Sequence, residues 1–452
     1  MSLFSIADIL PLKNKEIISF LGAGGKTSFL MRLASELASQ DKKVIVTTTT
    51  KMHCPGEIPL VLEKNRSRAL EGIRECFKKG NIAALGSSLT ADNKIEGADL
   101  FLLEELFNSG IESYILVEAD GAAKRSIKAH APYEPLLPPS SGIVIPIIGA
   151  DILGKSFDER NVHRPRLFSR ITGAVQGKPV TLDHIVDSMR FMVELSSMLA
   201  PGSCVIPVIN KAELIKDVKL VRHISKVWAR MPRVLGVLFT SLTDKAPVKF
   251  VFRSSSRPFV SCVILAAGMS SRMGSDKLQL EIGGQRILER SVNNAHLSAA
   301  DEVIVVTRPQ SRWEEIFQPY GSVRVVYNPD FKKGISSSVK TGIEALHPFS
   351  QAVVFALGDQ PFIPPSLYDE LIKNYLRYLP LSVVPYFQGQ RGNPVIFDRR
   401  CWPQIMELEG DKGGSQIFPY LPPRDIVKVN TSSPGILQDL DTPADLPYND
   451  KS

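Results

Sequence analysis

Val263-Ile264-Leu265-Ala266-Ala267-Gly268-Met269-Ser270-Ser271-Arg272-Met273-Gly274-Ser275-Asp276-Lys277 decides how the second half of this chain is read. An apolar run of strand character empties into residues small enough for backbone to wrap a ligand, and two cations follow at positions able to return to it. A nucleoside triphosphate needs both. Arg272 can fork onto phosphate oxygens, while Lys277 can act as a compact charge on the α-phosphate during displacement. The stretch is neither GxxxxGK[ST] nor GxGxxG, which argues against a kinase-like phosphate cradle and against a nicotinamide dinucleotide. The bland alternative is a small-residue turn with incidental cations.

Downstream, Val353-Val354-Phe355-Ala356-Leu357-Gly358-Asp359-Gln360-Pro361-Phe362 reads as a buried strand delivering one carboxylate at its C-terminal end. Ligands of open α/β sheets bind at that edge. Asp359 is therefore the first Mg²⁺ candidate, since Mg²⁺ takes one or two carboxylates plus substrate phosphates. An N-capping aspartate before a proline turn is its structural alternative. Asp441, within Asp439-Leu440-Asp441-Thr442-Pro443-Ala444-Asp445-Leu446, is a second candidate, with helix capping as its local explanation.

Upstream, Ile17-Ile18-Ser19-Phe20 runs into Leu21-Gly22-Ala23-Gly24-Gly25-Lys26-Thr27, followed by apolar residues at helical spacing over Ser28 to Ala38. Strand, glycine loop and helix N-terminus is the geometry in which backbone N–H groups and the helix dipole hold a phosphate. Glycines such as Gly24 and Gly25 let the backbone approach, Lys26 reaches the terminal phosphates, and the Thr27 hydroxyl sits on Mg²⁺. Phe20 stands where the full motif has glycine, so this is a variant P-loop. The alternative is a turn that only caps a helix. Ile115-Leu116-Val117-Glu118-Ala119-Asp120-Gly121 is an apolar strand ending in carboxylates, where a P-loop protein places its metal-orienting acid; Asp120 and Glu118 are the candidates. Val205 to Ile209 leads into Asn210-Lys211-Ala212-Glu213, an NKxD-like pattern with glutamate for aspartate, which leaves guanine preference open.

Between these landmarks, short β-branched runs alternate with amphipathic helical segments, the pattern of α/β sheets. Strands are expected at Ile17–Phe20, Lys43–Thr49, Ile82–Leu85, Tyr114–Val117, Gly142–Ile148, Cys204–Ile209 and Arg233–Phe239, and again from Phe259 onward. Phe252-Arg253-Ser254-Ser255-Ser256-Arg257-Pro258 reads as an exposed linker. The parse is two domains, 1–253 and 258–452.

Composition narrows the class. The 452 residues are 44% hydrophobic and 22% charged, which excludes disordered and collagen-like chains. A net charge of +7 suits anionic ligands without demanding nucleic acid, and no basic run interleaved with aromatics appears. Five widely spaced cysteines with no CxxC pair give neither a zinc ribbon nor a disulfide framework, which points to a reducing cytoplasm. No secretory signal is read at Met1–Lys13, and the apolar stretches are too short to span a membrane.

Two resemblances follow from these motifs. Gly22-Ala23-Gly24-Gly25-Lys26-Thr27, Thr47-Thr48-Thr49-Thr50-Lys51, Glu118-Ala119-Asp120-Gly121-Ala122, His130-Ala131-Pro132-Tyr133-Glu134-Pro135 and Val162-His163-Arg164-Pro165 together resemble the YqeC-type accessory proteins linked to selenium-dependent molybdenum hydroxylases. That resemblance implies a nucleotide-handling role in cofactor maturation, with ATP or GTP at the N-terminal site and a molybdenum hydroxylase as client. His163 is read either as an acid, base or ligand or as a structural residue. From Phe259 to about 447 the chain resembles the MobA/MocA-type molybdenum cofactor nucleotidyltransferases, through the LAAGxSxRMGxxK, GDQPF, Gly392-Asn393-Pro394-Val395-Ile396-Phe397 and DxDTPxDL motifs in order. The resemblance implies a Rossmann-like nucleotidyltransferase domain after the P-loop NTPase-like one. It also implies nucleotide binding by Ala266, Ala267, Gly268, Arg272 and Lys277, base contact by Ser338, and Mg²⁺ held by Asp359 and Asp441. LAAG rather than LAGG points to CTP as donor and molybdopterin as acceptor. Ser415, where relatives usually carry arginine, leaves pterin contacts there open. The rivals are another phosphorylated acceptor, GTP as donor, or a chaperone delivering cofactor.

Overall fold

A computed structural model describes residues 5–13, 15–56, 58–254, 258–268, 277–309, 311–320 and 323–440. The chain divides into two compact units, Met1–Arg257 and Pro258–Ser452.

The first unit is built on one sheet whose strands are β1 (Glu16–Gly22), β2 (Val44–Thr48), β3 (Leu60–Leu62), β4 (Ile82–Gly86), β5 (Tyr114–Glu118), β6 (Ser141–Gly149), β7 (Val208–Asn210), β8 (Gly236–Thr240) and β9 (Val248–Arg253). Their spatial order is β9-β8-β7-β6-β1-β5-β2-β4-β3. All labelled pairs are parallel except β8 with β9. Every residue of β1 is buried, as a central parallel strand covered on both faces requires. Strands β2 to β5 all lie on one flank of β1 and β6 to β9 on the other, so β1 ends at the point where strand order reverses.

Two expectations need correction. Phe252 and Arg253, read as linker, belong to β9 and pair with Val237 and Gly236. Phe250 and Phe252 lay their rings 6.1 and 5.9 Å from that of Phe239, and this cross-strand packing outweighs the serine-rich composition that follows. The strand expected over Cys204–Ile209 is split into Cys204–Val205 and β7, because Pro207 has no N–H to give the ladder.

The second unit has β10 (Phe259–Ala266), β11 (Glu302–Thr307), β12 (Val323–Tyr327), β13 (Ser350–Leu357), β14 (Ser382–Phe387), β15 (Val395–Asp398) and β16 (Ile426–Asn430). The order is β12-β11-β10-β13-β15-β14, with β16 also on β14. β10, β11, β12 and β13 are parallel, and β15 lies antiparallel to both β13 and β14. Motif residues Val395-Ile396-Phe397 therefore form a buried core strand. Order reverses between β10 and β13, which leaves a crevice beyond their C-terminal ends.

Candidate functional site

The two halves of the second unit's motif set meet at that crevice. Ala266 ends β10, and Ala267 and Gly268 follow it, the alanines 4% and 3% exposed. A Cβ on Gly268 would meet nothing within 4 Å among the described residues. Asp359 follows β13 through Gly358, where a side chain would run into Ala266 at 3.2 Å and Leu265 O at 3.3 Å. Across the crevice, Lys277 Nζ lies 2.7 Å from Asp359 Oδ2, with both side chains keeping some exposure. A cation and a carboxylate from the two motifs thus face each other across the crevice.

The other motifs are drawn to the same turn. Leu440 N donates to Asp359 O at 3.2 Å, and Gln360 Nε2 donates to Asp439 Oδ1 at 2.7 Å, so the segment leading to Asp441 runs beside Asp359. Asn393 N and Gln360 Nε2 both reach Ile436 O. Arg272 and Asp441 lie outside the described residues. Ser338 is buried in α2 (Ile335–Glu344), and its hydroxyl accepts from Asn328 Nδ2 at 3.0 Å. The Gly410–Ser415 loop packs on the start of this helix, with Ser336 N donating to Gly410 O at 3.1 Å.

In the first unit the glycine loop joins β1 to α1 (Lys26–Ser39). Gly24 has φ +89° and Gly25 φ +121°, the left-handed region that glycine tolerates. A Cβ on Gly24 would lie 2.2 Å from Gly149 N, and one on Gly25 2.3 Å from Asn210 Nδ2. Asn210 donates that amide to Gly24 O at 2.9 Å and accepts from Thr240, so the NKxE asparagine braces the glycine loop. Lys211 pairs with Asp151 at 3.1 Å.

A cleft of about 370 Å³ opens at the start of α1, lined by Gly24 to Ser28, Glu118, the 121–125 loop, and Lys51, His53 and Lys94 from a neighbouring small sheet. Thr27 Oγ1 donates to Glu118 Oε2 at 2.7 Å. Burial raises the Glu118 carboxyl above its ordinary range, opposed by Lys26 and the Thr27 hydrogen bond.

Asp120, named with Glu118 as a candidate metal-orienting acid, is not in the cleft lining. It is fully buried, and its carboxylate accepts from Gly22 N at 2.9 Å, lies 3.0 Å from Lys26 Nζ and 3.2 Å from Lys128 Nζ, and contacts His130 Nε2. Burial alone would raise its pKa; Lys26, His130 and Lys128 outweigh that and hold it well below the usual carboxylate range. Its oxygens are committed inward, so the carboxylate lining the cleft beside Thr27 is Glu118. The network continues from Lys128 to Glu134 at 2.6 Å and from Glu134 to Arg164. Burial lowers Lys128 to about 8 despite Asp120. His163 is half-buried beside this network rather than in the cleft lining, and burial, then Lys128, lowers its pKa.

Sequence reading overlooked Lys94, Lys124 and Arg125 as cleft cations and Lys128 as a partner of Asp120. Ala123 and Lys124 are consecutive non-glycine residues at positive φ in the cleft wall, and Gly24 N donates to Arg125 O at 3.0 Å. Such strain is maintained only where surrounding structure fixes it. Among the described residues no group of three or more metal-binding side chains occurs, and none of the five cysteines is in a disulfide.

Two family models match: the YqeC protein over residues 18–166 and the MobA-like NTP transferase domain over 262–424. Uncharacterized protein YqeC of Escherichia coli (strain K12) is 31% identical over 191 residues, covering 41% of this chain and 72% of that protein. The chain is a YqeC family protein fused to a MobA-like NTP transferase. Within the MobA-like half, the molybdenum cofactor cytidylyltransferase of E. coli (strain K12) is 28% identical over 191 residues, 41% of this chain and 93% of its own. The purine catabolism protein PucB of Bacillus subtilis (strain 168) is 30% identical over 197 residues, 41% of this chain and 93% of its own. The Lys277–Asp359 pair falls inside the MobA-like match, and the glycine loop, Glu118 and Asp120 inside the YqeC match. No helix among the described residues is long and apolar enough to cross a membrane.

Proposed function

We propose that the MobA-like domain, 258–452, transfers CMP from CTP to the terminal phosphate of molybdopterin, with or without its metal, releasing pyrophosphate. The observation that carries this reading is the 2.7 Å contact of Lys277 with Asp359, which joins the two motifs at the switch point of the sheet. An oxygen of the pterin phosphate attacks the α-phosphorus of CTP, the bond from that phosphorus to the bridging oxygen breaks, and pyrophosphate leaves. Ala266, Ala267 and Gly268 bring backbone close to the nucleotide, Arg272 and Lys277 hold its phosphates, and Ser338 stands on the base side. Asp359 and Asp441 hold Mg²⁺, which supplies charge neutralisation for the triphosphate. The position of Asp359, part-exposed and facing one cation across the crevice, fits that ion.

The YqeC domain, 1–253, is a variant P-loop nucleotide site for ATP or GTP. Lys26 and the amides at the start of α1 take the phosphates, while Thr27 with Glu118, rather than Asp120, positions the divalent cation; the 2.7 Å Thr27–Glu118 contact in the cleft supports that choice. The chain acts in the cytoplasm on small-molecule nucleotide and pterin substrates, in maturation of a molybdenum hydroxylase, its client.

Pyrophosphate release by the full chain with CTP, GTP and ATP, each with and without molybdopterin or its molybdate-loaded form, tests the transfer. CTP-dependent release only with the pterin is expected. Release that ignores the pterin but appears with a sugar phosphate would replace molybdopterin as acceptor.

A further inference from the structure

We propose that the MobA-like unit has a second anion pocket, apart from Lys277 and Asp359, in which Arg286, Arg308 and Arg312 take a phosphate or diphosphate group. A cavity of about 660 Å³ opens where four chain segments converge, and these arginines line it with Gln279, Glu315 and Phe331 among others. Arg308 follows Thr307, the last residue of β11, whose register partner is Ala266. The pocket therefore lies at the same sheet edge as the nucleotide loop, on the β11 side of β10, whereas Asp359 lies on the β13 side. Arg286 comes from the small ribbon Glu281–Ile282/Gln285–Arg286, and Arg312 from the residue before the helix Trp313–Phe317. Phe331 comes from the connection after β12, which is tied to β11 by Asn328 N donating to Thr307 O at 2.7 Å.

Convergent guanidinium groups repel one another, and Glu315 is the single carboxylate among the described lining residues. Neither Arg286 nor Arg312 makes an ion pair with a described residue. An arrangement in which cations outnumber acids, with Arg286 brought from the ribbon to Arg308 and Arg312 on the stretch after β11, is completed by a multiply charged oxyanion, which guanidinium forks bind through paired hydrogen bonds. The Phe331 ring adds an apolar face suited to an aromatic base. Inorganic diphosphate and a nucleoside phosphate share this chemistry.

Phenylglyoxal modification of arginines in the full chain, resolved peptide by peptide by mass spectrometry, reads the site directly. Inorganic pyrophosphate at low millimolar concentration should slow modification of Arg286, Arg308 and Arg312 by about fivefold, against a sodium chloride control of equal ionic strength, and leave exposed Arg377 unaffected. That protection should survive Lys277→Ala and Lys26→Ala. In the Arg286→Ala/Arg312→Ala variant, with an unchanged circular dichroism spectrum, protection of Arg308 should need about tenfold more pyrophosphate. CMP protecting at lower concentration than pyrophosphate identifies a nucleoside phosphate as the occupant, and the reverse order identifies the free diphosphate. Protection no greater than the salt control, or protection lost with Lys277→Ala, overturns the pocket and returns the anion to the nucleotide loop.

Discussion

The two glycine loops of this chain use small residues for opposite reasons. In the YqeC unit the backbone demands them: Gly24 sits at φ +89° with another backbone 2.2 Å from where its Cβ would be, and Lys26 behind it is 4% exposed and tied to Asp120. In the MobA-like unit Gly268 faces open space among the described residues, and Lys277 and Asp359 keep 15% and 21% of their side-chain exposure. The first loop is held by the fold whether or not a ligand comes. The second keeps its pair of charges part-exposed at the crevice, beside alanines that the fold packs. Loss of stability and loss of function should therefore coincide in the first unit and separate in the second.

Asp359→Asn gives the largest expected effect and tests the separation. Transfer from CTP should fall about 1,000-fold, roughly 4 kcal/mol, because the carboxylate that fixes the divalent cation becomes a neutral amide. The melting temperature should barely move, since a part-exposed ion pair contributes about 1 kcal/mol or less. A variant that transfers at near-normal rate would reduce Asp359 to a turn-forming residue.

Gly24→Ala tests the other side. Strained φ and contact with Gly149 together should cost the YqeC unit about 3 kcal/mol or more, seen as an early transition in thermal unfolding of the full chain. Gly268→Ala, with no such neighbour, should shift neither transition. If the two substitutions destabilise equally, the contrast between the loops is wrong.

The same contrast governs what could be read from sequence. Gly24, Gly25, Lys26 and Thr27 are contiguous at a strand–helix junction, and Lys277 and Asp359 each belong to a motif that opens with a recognisable apolar run, so local pattern finds them. The choice between Glu118 and Asp120 is not local. Alternation would place both on one face of an extended strand, but β5 stops at Glu118, and past its end Asp120 turns inward to Lys26, Lys128 and His130. Lys94 reaches the cleft from the small sheet and Lys124 and Arg125 from the 121–125 loop, both apart in sequence from the glycine loop, so no spacing signal marks them. Phe252 was hidden for a related reason, because its partner Phe239 lies on another strand.

Ala267→Gly should change the ratio of CTP to GTP turnover by about tenfold toward GTP, about 1.4 kcal/mol, by admitting a larger base against the backbone. Equal use of both nucleotides by the unaltered protein would remove the basis for that shift.

A smaller effect is expected from acid, and it should fall on the YqeC unit. Burial lowers the pKa of His130 below the ordinary histidine value although Asp120 opposes it; Lys128 and Lys26 also face it and add to the lowering. The unfolded chain then binds more protons than the folded one below about pH 6.5, so stability is lost as pH falls through that range. Asp120 stays ionised in the fold and adds a slope of its own only below about pH 5, where the unfolded carboxyl begins to take up a proton. His130→Gln should flatten the fall in melting temperature between about pH 7 and 5 for this unit, leaving the share that His163 contributes and the opposing one from Glu118, whose raised carboxyl takes up a proton first in the fold. An unchanged slope would mean that His130 is protonated in the fold.

Lys26→Ala is expected to have the smallest effect on transfer. It removes the cation beside Asp120 and Glu118, so nucleotide binding at the YqeC cleft should weaken, and the unit should lose stability because buried carboxylates are left with fewer partners. CTP-dependent pyrophosphate release should nevertheless stay within about twofold of normal, since Lys277, Asp359 and the loop after β10 belong to a unit with its own sheet and its own crevice. Lys128 and His130 remain to compensate Asp120, which favours a folded variant in which the comparison can be made. A loss of transfer with both thermal transitions intact would show the opposite arrangement, a YqeC domain that feeds or gates the transferase through its own bound nucleotide. The two outcomes differ in one control: adding ATP or GTP should change CMP transfer by the unaltered chain only if the two sites are coupled, and any such change must disappear with Lys26→Ala.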